Sequence, residues 1–218
     1  MKMASTFTRL IGLLAIVLSA TFVSCGNNTS TEESKGTGAD STAGGTTGGT
    51  SAAPTHAEAA LSGTKSDTTV SGSVSFEAES GGKVKLTLQI SVPKKANKSV
   101  AVHLHEHPDC GDTGTHAGGH WNPTGVNHGK WGEGIYHSGD IGNITLDAQG
   151  NGTLTLESDL WSLGGDAKTD ILNKTVIVHS GVDDYKTQPA GNSGPRIGCG
   201  IIKASESQAA NSTPSEPH

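Results

Sequence analysis

Eight of the ten histidines in this 218-residue chain fall between residues 103 and 179. His103-Leu104-His105 places two imidazoles at i and i+2. In an extended strand such residues project to the same face, so the pair offers two ligands from one rigid element. His120, His128, His137 and Asp140 follow at separations of eight, nine and three, and His179 ends the apolar run Val176-Ile177-Val178. Six imidazoles and a carboxylate suit a borderline metal such as Zn(II) or Cu(II), not Ca(II) or Mg(II), which take oxygen ligands. The chemistry to expect is that of a metal centre.

The elements that must position these groups are strands. Val70, Gly72, Val74 and Phe76 alternate with Ser71, Ser73, Ser75 and Glu77, and Val84, Leu86, Leu88, Ile90 and Val92 alternate with polar residues. Period two marks half-buried strands, and Ser80-Gly81-Gly82 between the two runs reads as a hairpin turn. Further strands are expected at Ser99–His105, Ile141–Asp147, Gly152–Ser158, Thr175–Ser180 and Arg196–Lys203, with a second hairpin at Asp147–Asn151. No ten-residue stretch between 57 and 203 has helical periodicity, and Phe76 is the only Phe there, so the core should rest on Val, Ile and Leu. The pattern points to an all-β antiparallel sandwich or barrel. Two long segments, Glu106–Asp140 and Gly181–Pro195, interrupt the strand rhythm; loops of this length in a compact domain are usually functional. The first carries Cys110 and His116 together with His120, His128, His137 and Asp140, and a metal with a disulfide would hold it.

The 31 glycines and net charge of −6 exclude other classes. So much glycine is incompatible with a helical bundle, and an acidic chain lacks the basic face of a nucleic-acid binder. Residues 1–24 read as a secretory signal: Lys2 and Arg9 precede a short apolar core, Leu10 to Val23. Ser24-Cys25 directly after that core resembles a bacterial lipobox, which would make Cys25 the acylated mature N-terminus; the alternative is an ordinary signal peptide with an incidental cysteine. Residues 25–56, dominated by Gly, Ser and Thr, read as a flexible tether, 57–203 as one domain, and 204–218 as a disordered tail. The expected location is therefore the periplasm or outer cell envelope, with the membrane reached only through the lipid.

The segments His103-Leu104-His105-Glu106, Gly119-His120-Trp121-Asn122-Pro123, His137-Ser138-Gly139-Asp140-Ile141-Gly142-Asn143, Val178-His179 and Gly191-Asn192-Ser193-Gly194-Pro195-Arg196-Ile197-Gly198-Cys199-Gly200 resemble copper/zinc superoxide dismutases, over roughly residues 60–203. The resemblance implies an eight-stranded Greek-key β-sandwich or barrel with two long functional loops. It implies copper at His103, His105, His120 and His179, and zinc at His120, His128, His137 and Asp140, with His120 bridging. Asp183 matches an aspartate that links the outer nitrogens of His103 and His128. Arg196 matches an arginine beside the copper that docks superoxide, Cys110 and Cys199 match an intramolecular disulfide, and Cys25 is then the odd cysteine. Superoxide would be oxidised to dioxygen and reduced to hydrogen peroxide in alternate half-cycles, with protons passing through His120.

The chain departs from animal and plant relatives in its second loop. Gly181–Pro195 holds only Asp183, Asp184 and Lys186 as charges, and Asp183-Asp184-Tyr185-Lys186-Thr187-Gln188-Pro189 looks like bacterial, exported members. Steering of the substrate is then expected from other cations, such as Lys130. Ala190 stands where many relatives have a hydroxyl residue. His107 and His116 lie outside the family pattern and read as surface residues. The oligomeric state is left as monomer or homodimer. The rival function is a non-enzymatic carrier of copper or zinc, which would need the ligands but not Arg196; a tethered adhesive module explains neither.

Overall fold

The computed structural model describes residues 52–206. The signal segment with Cys25, nearly all of the tether and most of the tail lie outside the described residues. Nine strands follow in order: β1 (His56–Gly63), β2 (Ser71–Ala78), β3 (Val84–Ser91), β4 (Ser99–His105), β5 (Gly142–Thr145), β6 (Asn151–Ser158), β7 (Thr175–His179), β8 (Arg196–Ile201) and β9 (Lys203–Ser205). Eight form the path β5-β4-β7-β8-β1-β2-β3-β6, and β9 pairs with β1 beside β8. Every pairing is antiparallel. The two ends of the path, β5 and β6, are joined by the Asp147–Asn151 turn and approach each other, so the sheet is a nearly closed Greek-key barrel.

The alternating runs become the strands expected of them. Val74 and Phe76 on β2 face inward with Leu86, Leu88 and Ile90 on β3, opposite one another in register. Three details differ from the sequence reading. β1 had no expected strand: its inward residues are Ala57, Ala59 and Leu61, and alanine carries little strand signal. It begins at His56, the last residue assigned to the tether. The expected strand 196–203 is split, with Ile202 buried between β8 and β9, which runs on to Ser205. The core is also more aromatic than expected, because the segment between β6 and β7 folds inward. Trp161 is fully buried, meets Phe76 edge-on with ring centroids 6.0 Å apart, and donates its indole N–H to Ser138 O at 2.8 Å.

Two central strands carry the chemistry on their outer face. On β4, Val100, Val102 and Leu104 enter the core; on β7, Val176 and Val178 do. The opposite face holds His103 and His105 on β4 and Ile177 and His179 on β7. It is buried as well, because the two long loops fold over it. Period two thus separates a purely apolar face from a face of ligands within the same strands.

Candidate metal centre

The long loop after β4 is fastened at both ends. Cys110 is disulfide-bonded to Cys199 on β8, and a turn of 3-10 helix, Asp112–Ala117, follows. Further along, the chain returns against β4: Trp121 N donates to Leu104 O at 2.8 Å and Gly139 N to Trp121 O at 3.0 Å. This contact allows no side chain at 139, where a Cβ would lie 2.4 Å from Leu104 O. The result places His120 beside His105 and Asp140 beneath His120.

Two groups of ligand atoms, each within 4.8 Å of one another, share His120: His103, His105, His120 and His179, then His120, His128, His137 and Asp140. All seven side chains are buried. A β-bulge between Val178 and His179 sets His179 opposite Arg196 rather than Ile197, which turns its ring toward His105, with the two Nε2 atoms 3.4 Å apart.

Each histidine other than His120 has one ring nitrogen fixed from outside. His103 Nε2 meets Asp183 Oδ2 at 2.8 Å and His128 Nε2 meets Asp183 Oδ1 at 2.9 Å. His105 Nδ1 donates to Gly118 O and His179 Nδ1 to Gly194 O, both at 3.0 Å; His137 Nε2 donates to Val126 O at 3.1 Å. These bonds set each tautomer and leave the inward nitrogen with its lone pair. His120 is the exception: its Nδ1 lies 2.8 Å from Asp140 Oδ1, and its Nε2 faces the other group.

The donor set fits metal ions. His103 Nδ1, His120 Nε2, His128 Nδ1 and His137 Nδ1 are buried with no hydrogen-bond partner. Four such atoms in one place would be costly without a cation to receive their lone pairs. His128 Nδ1 and His137 Nδ1 approach Asp140 to 3.0 and 3.1 Å without hydrogen-bond geometry. Zinc–nitrogen bonds of about 2.0 Å at tetrahedral angles set ligand atoms ~3.3 Å apart, so this crowding is that of a coordination shell.

Burial holds the first group neutral. His120 is lowered to about 4 and His179 to about 3, mainly by desolvation, and His103 and His105 are lowered for the same reason. Burial also opposes charge on His128, but the carboxylates of Asp140 and Asp183 on its two sides outweigh it and raise it to about 9. Desolvation would raise Asp140 and Asp183 in turn, yet their histidine and backbone partners hold both well below the usual carboxylate range. The second group is therefore anionic at its base, suited to a structural site, while the first is a set of neutral imidazoles.

Three of the first group, His105, His120 and His179, line a cavity of about 620 Å³ together with His137 of the second group and with Pro189, Ala190 and Arg196. Arg196 is half-buried, and its guanidinium is braced by hydrogen bonds to Gly114 O and, at 2.6 Å, to Gly118 O. Sequence reasoning picked out His105, His120, His137, His179 and Arg196 and noted Ala190, but gave no role to Gly114, Gly118 or Pro189. It did not single out Asn143 or Gln188, which hold the second loop. Asn143 Oδ1 accepts from Asp183 N at 2.8 Å and its Nδ2 donates to Asp183 O at 2.9 Å. Lys130 is not among the cavity-lining residues; it pairs with Glu133 and lies over the Tyr185 ring. His107 and His116 are exposed, beside Glu106 and Asp109 respectively.

An antiparallel barrel carrying two buried metal-ligand groups with a shared histidine, one of them with three of its four ligands on a cavity that holds a fixed cation, is the frame of a two-metal centre. Residues 70–202 match the family model described as copper/zinc superoxide dismutase (SODC). The Cu-Zn superoxide dismutase of Neurospora crassa is 38% identical over 144 residues, covering 63% of this chain and 92% of that protein. The second Cu-Zn superoxide dismutase of Aquifex aeolicus is 37% identical over 131 residues, covering 58% of this chain and 75% of that protein. The crystal structure of the clock protein EA4 superposes with a TM-score of 0.62 at 29% identity, covering 70% of this chain and 96% of that one. The chain belongs to the copper/zinc superoxide dismutase family, and it is an oxidoreductase of that type acting on superoxide.

Proposed function

We propose that His103, His105, His120 and His179 hold copper, that His120, His128, His137 and Asp140 hold zinc, and that the pair dismutates superoxide in the cell envelope. The observation that carries this reading is His120. One nitrogen faces Asp140, the other has no hydrogen-bond partner and faces the first group, so a single ring serves both sites. The all-imidazole group, with three of its ligands on the cavity beside Arg196, takes the redox metal; the group with the carboxylate has the four N/O ligands of structural zinc.

Copper, when bound, supplies one-electron chemistry by passing between Cu(II) and Cu(I). The protein does the rest. Arg196 draws the anion into the cavity and holds it with a charge-assisted hydrogen bond, the fixed guanidinium losing little freedom. Pro189 and Ala190 line the same cavity. One superoxide leaves as dioxygen after giving up an electron; the next gains an electron and two protons and leaves as hydrogen peroxide. His120 Nε2 takes up and returns one of those protons, and water supplies the other. A carrier of copper or zinc has no use for Arg196 at the cavity wall.

The readings of Cys25 as a lipid anchor, of the chain as exported, and of a monomer or homodimer belong to this proposal. They rest on the N-terminal pattern and on the likeness of the second loop to bacterial members. The test of the function is metal analysis with a superoxide assay on the purified protein. One copper and one zinc per chain are expected, with activity lost on selective removal of copper. Equal activity in a zinc-only preparation would overturn it.

A further inference from the structure

The second loop is fastened to the metal site at more than Asp183. Gln188 projects its carboxamide onto the backbone of His128. Gln188 Oε1 accepts from His128 N at 2.8 Å, and Gln188 Nε2 donates to His128 O at 2.9 Å. One side chain thus satisfies both backbone groups of a single residue sixty positions away. From the opposite side Asp140 Oδ2 accepts from Gly129 N at 3.0 Å. Both nitrogens of the His128 ring face carboxylates, but those contacts fix the ring and not the main chain that carries it. Gln188 and Asp140 fix the main chain.

Gln188 also stands at the cavity. It lines the wall with Pro189 and Ala190, in the cavity that His105, His120 and His179 also line. The same residue therefore touches the second group through the backbone of His128 and shares a cavity with the first.

We propose that Gln188 is a positioning residue that sets the backbone of His128 and, through it, locks the Gln188–Ala190 wall of the cavity to the metal group that contains His128. This rests on the assignment of zinc to His128. A carboxamide is needed for the task because it donates and accepts at once; a carboxylate keeps the acceptor for His128 N–H and sets a negative charge against His128 O.

The experiment compares the full-length protein with Gln188→Ala, Gln188→Glu and the control Gln149→Ala, a substitution in the exposed β5–β6 turn. Amide hydrogen exchange at His128 is measured in the metal-free protein, and zinc release to a chelator in the zinc-loaded protein. Gln188→Ala should speed both by about tenfold, the worth of a hydrogen bond or two. Gln188→Glu should retain protection of the His128 amide better than Ala does while still releasing zinc faster than wild type, and Gln149→Ala should change neither. Unchanged exchange and unchanged zinc release in Gln188→Ala would overturn the proposal. A wild type that binds no zinc would instead sink the metal assignment, while the exchange measurement still decides whether Gln188 holds His128.

Discussion

His105 and Arg196 are held by the same backbone oxygen: Gly118 O lies 3.0 Å from His105 Nδ1 and 2.6 Å from Arg196 Nη2. The turn that orients a ligand of the first group therefore also orients the cation beside it. A shift of Gly118 moves both together, so the distance between guanidinium and imidazole is protected against distortion of the loop.

Replacing Arg196 separates its charge from its brace. Arg196→Ala should keep copper and zinc content near wild type and lower turnover on the order of tenfold or more, a loss of at least ~1.4 kcal/mol of transition-state stabilisation. Arg196→Lys should recover part of this, keeping the charge but losing the fork that reaches two carbonyls. Activity should fall with ionic strength, and fall less in the Ala variant. A fully metallated Arg196→Ala protein with undiminished turnover would refute the role.

Removing the shared ring should disturb both groups. His120→Ala is expected to reduce copper and zinc content together, whereas His116→Ala, at an exposed residue beside Asp109, should leave both unchanged. Metal analysis of the two variants decides; the reverse result would mean the ligand sets are misassigned.

The metal-free protein should lose stability in acid. His120 is held to about 4 and His179 to about 3, against 6.5 for an ordinary histidine. As pH falls below 6.5 the unfolded chain takes up protons that these buried rings refuse, so folding weakens from about pH 6.5 down to about pH 3. His128, raised to about 9, acts in the opposite sense: its contribution is complete below 6.5 and is lost as pH rises through 9. The Tm of metal-free protein should therefore drop between pH 7 and pH 4.5 and also decline as pH rises from 7 to about 9, where the His128 contribution is spent. A Tm that stays level from pH 7 to 4.5 would contradict the burial of these rings.

The disulfide can be tested apart from the metals. Changing Cys110 and Cys199 together to serine should lower stability by about 4 to 5 kcal/mol, since the bond joins residues 89 apart and so closes a long loop in the unfolded chain. Denaturant titration of metal-free protein measures it; a midpoint equal to wild type would show the link to be dispensable.

For Cys25, labelled fatty acid should enter the wild-type chain and not Cys25→Ser, which should become soluble. An unlabelled protein with its mature N-terminus elsewhere would make the lipid-anchor reading wrong.

What was readable in the sequence follows from which forces act locally. β2 and β3 were readable because Val and Leu alternate with Ser and Thr, and that alternation is itself the burial pattern. The ligands were readable because imidazole and carboxylate are chemically distinctive and His103 and His105 sit at strand spacing. β1 was not: Ala57 and Ala59 are buried by pairing with residues far away in the chain, and nothing in HAEAALSG announces a strand. Trp161 was missed for a similar reason, since its burial depends on a loop folding back to Phe76. Gln188 is a polar residue in a polar loop, and only the arrival of His128 opposite it gives its carboxamide a purpose.

The order of strands around the barrel has a consequence for synthesis. β1 lies between β2 and the pair β8 and β9, so residues 56–63 find their second neighbours only among residues 198–205. A chain emerging from the ribosome N-terminus first presents β1 early and must wait for almost the whole domain before that edge is covered. Until then β1 has an open hydrogen-bonding edge, and the partner cysteine and Arg196 have not yet arrived. The barrel, the disulfide and the cavity can therefore be completed only once residues 196–205 have been made.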